Sequence, residues 1–170
     1  EGRVRVRGVN VEGDDQADRR VHGGPDKAVY AYAAEDIAWW SERLGRPPGP
    51  YMVQAEIAAC HARAGSAEET DWERIAALYE ILAALTPTPV VELNRAVAVA
   101  MAFGPARGLE LVDPLAAQPE LRNYHLLPSV RGDLLAKLGR REEARAEFQR
   151  AASLARNTRE RTVLLDRAAA

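Results

Sequence analysis

Five residues, RPPGP at 46–50, divide this chain into two stretches with different periodicities. Proline has no backbone N–H and pushes the residue before it out of the helical region, so neither a helix nor a strand ladder runs through such a cluster. Upstream, residues 4–11 read VRVRGVNV. Val4, Val6, Val9 and Val11 nearly alternate with polar residues, the pattern of a half-buried strand that slips at Gly8. EGDDQAD (12–18) reads as a polar turn, HGGP (22–25) as a loop and AVYAY (28–32) as a second strand. AEDIAWWSERLG (34–45) reads as a short helix with Ile37, Trp40 and Leu44 on one face and Gly45 as its stop. The expected division is therefore a short α+β segment over 1–48 and a helical domain over 49–170.

Downstream of the break the strand signals vanish. MVQAEIAACHARAG (52–65) predicts one helix. Thr70 and Glu73 are spaced as a capping box for the next, along which Trp72, Ile75, Tyr79 and Leu82 form a stripe at helical spacing. Thr88 and Pro89 fit the cap and first turn of VVELNRAVAVAMA, which Gly104 and Pro105 stop. Further helices are expected near 105–117, 120–138, 141–155 and 158–169, the last capped by Asn157 and Glu160.

Short helices in pairs, joined by Gly/Pro turns, call for a repeat search. In VRGDLLAKLGRREEARAEFQRAASLA, Gly132, Gly139, Ala144, Phe148 and Ala151 have tetratricopeptide spacing. Small residues at 132 and 144 let antiparallel helices approach closely, and Phe148 fills the space beside them. One repeat earlier Ala96 and Gly108 hold the equivalent contact positions, with Val112 near that of Phe148. The expected fold is mostly α: a TPR-like solenoid of antiparallel helical pairs preceded by the α+β segment. Such a stack leaves a face open for a partner and requires no catalysis.

Composition narrows the function classes. Hydrophobic residues make up 47% and charged residues 28%, which suits a globular protein, and the formal net charge of -2 implies no general attraction to nucleic acid or membrane. Between Lys137 and Arg167 nine Lys/Arg face five Asp/Glu, a mildly basic end that reads as a solvated helical face. Cys60 is the single cysteine, so an intrachain disulfide and a cysteine zinc cluster are both excluded. With no apolar run of spanning length, a cytoplasmic location is expected.

Two families are resembled in two parts of the chain. Residues 49–170, through TDWERIAALY, LNRAVAVA and YHLLPSVRGDLL, resemble the C-terminal helical extension of bacterial extracytoplasmic-function sigma factors. That resemblance implies a regulatory module acting through protein contacts, here without the two promoter-binding domains, so direct DNA binding is not expected. Residues 1–48, through GDDQAD and VHGGPDKAVYAY, resemble the early part of a MOSC domain, the β-barrel module related to molybdenum-cofactor sulfurases. The expected α+β segment is then a truncated piece of that barrel. The resemblance implies that the family's sulfur-carrying cysteine lies in the part this chain lacks, and Cys60 does not replace it.

In the opening segment His22, Gly23, Gly24 and Lys27 are the candidate cofactor-binding residues: the glycines expose backbone N–H groups to an anion and Lys27 adds charge, with Arg19 and Arg20 nearby. The bland reading is a polar turn. Asp14, Asp15 and Asp18 lack the closing glutamate of a calcium loop. Cys60 and His61 are adjacent, about 100° apart on a helix, and cannot act as nucleophile and base on one another. His125 is expected in an interhelical hydrogen bond, and one of Trp39 and Trp40 is expected on a second surface. No catalytic or metal-binding residues are assigned, and enzyme activity is not favoured.

The favoured reading is a non-catalytic interaction module, with a sigma domain or RNA polymerase as protein partner, no membrane partner and no cofactor. One alternative is binding of molybdenum cofactor, or sulfur transfer, through the MOSC-like segment. Another is a fusion of two gene fragments with no joint function.

Overall fold

A computed structural model of the chain describes residues 38, 39, 41–43, 45–66 and 68–169. Seven α-helices are named among them: α1 (Pro50–Arg63), α2 (Trp72–Leu85), α3 (Pro89–Phe103), α4 (Pro105–Val112), α5 (Leu126–Lys137), α6 (Arg141–Leu154) and α7 (Thr158–Ala169). Two 3₁₀ turns, Asp113–Ala117 and Pro119–Leu121, join α4 to α5. Residues 38, 39 and 41–43 are also helical.

These findings correct the expected fold class. Every regular element among the described residues is helical and none is a strand, so no α+β segment or barrel piece is seen there. The strands expected at 4–11 and 28–32 lie outside the described residues. The helical pairing itself is compatible with the structure, since α5, α6 and α7 pack in succession, as do α1 with α2 and α4 with α5. The expected helix over 105–117 tightens to 3₁₀ geometry at Asp113, where Pro114 withholds an N–H from the helical ladder. The one expected over 120–138 splits, and α5 begins only at Leu126.

By Cα packing the chain divides into two compact units, Glu1–Val91 and Glu92–Ala170, so the division falls within the first turn of α3. In the first unit α1 buries Val53, Ile57 and Cys60, while α2 buries Ile75, Ala76, Ala77, Leu78, Ile81, Leu82 and Ala83. The cap of α2 differs from expectation. Asp71, not Thr70, is the N-cap, and its carboxylate accepts from Arg74 N at 3.0 Å. Thr70 Oγ1 instead donates to the Ser66 carbonyl. A carboxylate one residue nearer the helix takes the position that satisfies the first-turn N–H. The cap of α3 is as expected, with Thr88 Oγ1 accepting from Val91 N at 3.3 Å.

In the second unit the core joins Leu93 and Ala96 of α3, Leu109 and Val112 of α4, Leu115, Leu121, Leu127, Leu134, Leu135, and Ala144, Phe148, Ala151 and Ala152 of α6. The small-residue contacts read from the repeat are present. Gly132 faces the Phe148 ring, and Gly108 faces the Ala96 carbonyl and the Ala100 side chain. The turn from α5 to α6 is a Schellman motif. Arg140 N bonds to the Leu135 carbonyl, Gly139 N bonds to the Ala136 carbonyl, and Gly139 adopts φ +75, where a side chain would be strained.

Candidate functional site

The residues proposed from sequence for anion or cofactor binding, His22, Gly23, Gly24 and Lys27, lie outside the described residues, as do Asp14, Asp15, Asp18 and Trp40. Trp39 is about half exposed and carries the Arg43 guanidinium over its ring at 4.9 Å. Among the described residues, no group of three or more His, Cys, Asp or Glu side chains is placed to hold a metal ion.

Charge in the first unit concentrates where α1 meets the start of α2. Glu56 sits on α1 with a side chain only 11% exposed, and its Oε1 accepts from Arg63 Nη1 at 3.1 Å and from Arg74 Nη2 at 2.9 Å. One carboxylate oxygen thus ties two guanidinium groups, one from its own helix and one from α2. Cys60 follows one turn after Glu56 and is buried. Burial pushes its thiol above the ordinary range; Arg74 pulls the other way, and Glu56 and Asp71 add to the rise. A buried thiol held protonated is a poor nucleophile and a poor sulfur carrier. His61 turns outward and meets Trp72 edge to face, ring centroids 5.2 Å apart. The expected separation of Cys60 from His61 is what the structure has.

In the second unit, polar assemblies centre on Arg131 and on His125. Arg131 on α5 donates to Asp113 at 2.8 Å and to Glu147 on α6 at 2.8 Å. Burial alone would lower its affinity for its proton, but the two carboxylates outweigh that and hold the guanidinium above its ordinary value. His125 Nε2, just ahead of α5, lies 2.7 Å from Glu160 Oε1 on α7, the interhelical bond expected of this histidine. Glu160 therefore faces a neighbouring helix, and Asn157 alone contributes a side-chain cap to α7, accepting from Arg159 N at 2.9 Å.

Sequence reading missed Glu56, Arg74 and Arg131. Glu56 and Arg63 are seven apart on one helix, a visible spacing. The pairing of Glu56 with Arg74 across 18 residues, and of Arg131 with Asp113 across 18, depends on how helices cross and leaves no local signal. Glu56 with Arg74 joins α1 to α2, and Arg131 with Glu147 joins α5 to α6, which is the chemistry of a brace between helices.

Comparison with known proteins finds a family likeness for part of this chain. Residues 18–78 match the MOSC domain family. The match covers well under half of the 170 residues and runs past the RPPGP break, through α1 and into the first half of α2. Glu56, Cys60 and Arg74 therefore lie inside it.

Three relatives are also similar. "Uncharacterized protein R00370" of Rhizobium meliloti (strain 1021) is 52% identical over 115 residues, 68% of this chain and 27% of that protein. "Uncharacterized protein YflK" of Bacillus subtilis (strain 168) is 60% identical over 38 residues, 22% of this chain and 17% of that one. "Protein YiiM" of Escherichia coli (strain K12) is 39% identical over 44 residues, 26% and 20% of the two chains. The chain thus spans 27% or less of the length of each. No solved structure matches. Only 78 residues precede Tyr79, so at least 37 of the 115 shared with the R. meliloti protein lie beyond the MOSC match, among α2 to α7. No described helix is long and apolar enough to cross a membrane.

Proposed function

We propose that the MOSC-like stretch binds molybdenum cofactor. The observation supporting this reading is the family match over residues 18–78, which contains the HGGPDK loop. His22-Gly23-Gly24 would present backbone N–H groups to the anionic phosphate of the cofactor, and Lys27 would supply the countercharge. Sulfur transfer would need a reactive thiol in addition, and the described part of the stretch does not offer one. Cys60 is buried and its thiol is held protonated, so binding is favoured over sulfur transfer by this cysteine. The test is to load the purified chain with molybdenum cofactor, remove the excess, and measure molybdenum by elemental analysis and the oxidised pterin by fluorescence. Both should be retained near one per chain, and Lys27→Ala with His22→Ala should lose them. Loss of both signals from the unaltered chain removes this reading.

A second reading rests on the resemblance of residues 49–170 to the sigma-factor extension and on the succession of packed helices α4 to α7. In it the paired helices of Glu92–Ala170 form a protein-binding module of the sigma-factor-extension type, with a sigma domain or RNA polymerase as partner. Calorimetric titration of the chain with isolated promoter-binding sigma domains should give saturable binding. Absence of both heat and co-elution would leave the helical unit without this partner.

A further inference from the structure

The last helix, α7, is held on its neighbours in an unusual proportion. Of its twelve residues only Leu164 and Ala168 are buried side chains. Against these two stand three polar attachments, spread along its length. Near the start, Glu160 pairs with His125 ahead of α5. One residue on, Arg161 donates through Nη2 to the Ala155 carbonyl, which follows the end of α6, at 2.9 Å. Near the end, Arg167 pairs with Asp133 of α5 and lies 4.5 Å above the Phe148 ring of α6. The order of the two pairings, 160 with 125 and 167 with 133, makes α7 run in the same direction as α5 with a clasp near each end.

We infer that α7 is a releasable strap over the α5–α6 pair, opening as one unit while α5 and α6 stay folded. Two buried side chains are a small hydrophobic anchor for a helix whose release would free twelve residues of backbone entropy. The clasps therefore make up a large share of its attachment. The four side chains of these two pairings are 25% to 42% exposed, so water and ions reach them, and salt screens the Arg167–Asp133 ion pair. Leu164 and Ala168 join the same core, to which α5 and α6 bring more, with Leu127, Leu134, Leu135, Phe148 and Ala151 among them. Opening α7 uncovers one side of Phe148, an aromatic surface that is only 3% exposed when the strap is closed. The fold thus contains a surface that salt or a competing charge can uncover without unfolding the unit.

Hydrogen exchange of the full chain, followed by mass spectrometry, separates release from simple fraying. Raising NaCl from 0.1 to 1 M should speed exchange across 161–169 by about tenfold, with 126–137 and 141–154 unchanged. Glu160→Gln, a conservative change at the front clasp, should speed exchange about fivefold in the far turn 166–169, equivalent to ~1 kcal/mol. Asp133→Asn should do the same from the other end. A fraying helix would respond only next to each substitution, and that result overturns the inference. So does exchange of α7 at the same rate and salt response as α5 and α6, which would make it part of one cooperative unit.

Discussion

Phe148 occupies the space that Gly132 leaves. A Cβ built on Gly132 would lie 2.8 Å from Cε1 and 2.9 Å from Cδ1 of that ring, on a side chain only 3% exposed. Substituting alanine for glycine within a helix normally gains about 1 kcal/mol. Here the ring has core on one side and Arg167 above it, so the clash wins. Gly132→Ala is expected to destabilise the second unit by about 1–3 kcal/mol. Phe148→Ala, which removes the ring altogether, should cost about 3–5 kcal/mol. Urea unfolding followed by circular dichroism reads both; a Gly132→Ala variant as stable as the parent would show that the ring moves freely.

Gly108 is tighter still, because part of what it meets is backbone. An added Cβ would lie 2.4 Å from Ala100 Cβ and 2.9 Å from the Ala96 carbonyl oxygen. Gly108→Ala should therefore force α4 away from α3, at about 3 kcal/mol, the upper end of the overpacking range. Ala100→Gly in the same chain should recover only part of the loss, since the Ala96 carbonyl stays in place. Full recovery in a double-mutant thermal melt would assign the whole conflict to the Ala100 methyl.

The cap of α2 distinguishes two neighbouring residues. Asp71→Ala removes the acceptor for Arg74 N and should cost about 1 kcal/mol, whereas Thr70→Ala should cost no more than about 0.5 kcal/mol. Comparing the two denaturation midpoints checks the assignment. A larger loss at Thr70 would restore the capping box that the sequence suggested.

A buried thiol on α1 and a partly buried phenol on α2 make stability fall at alkaline pH. Burial raises both the Cys60 thiol and the Tyr79 phenol above their ordinary values. The folded chain then holds these protons more tightly than the unfolded chain, so their contribution is fully present below the unfolded values. It falls as pH rises above about 8.5 for Cys60 and about 10 for Tyr79. Native Cys60 should react with a thiol reagent at pH 8 at least tenfold more slowly than in urea. Tyr79 ionisation, read by difference absorbance against Tyr79→Phe, should come above pH 10. Rapid labelling of Cys60 in the folded chain would contradict its burial.

Much of the helical part could be read from residue order alone. Pro89 starts a helix and Gly104 ends it as read from the sequence, because these residues impose or permit a local backbone geometry, while Pro50, read as part of the break, opens α1 two residues before the expected start. Gly132, Ala144 and Phe148 announced a close helix contact through spacing alone, and the structure has it. The α+β expectation was not met among the described residues, none of which is in a strand. Local signals also placed the α2 cap one residue early, since both Thr70 and Asp71 are good caps and only the path of the chain selects between them.

What the sequence by itself determined, then, is where helices begin, where they stop, and which faces are apolar. The tertiary structure alone decided which charges meet. Glu56 joins Arg74, Arg131 joins Asp113 and Glu147, and Glu160 turns from its own helix end to His125, 35 residues away. Helical periodicity fixes a side chain's direction around its own axis, but the approach of a second axis is set by the summed packing of whole faces. An ion pair between helices is a consequence of that sum, and no local stretch of sequence contains it.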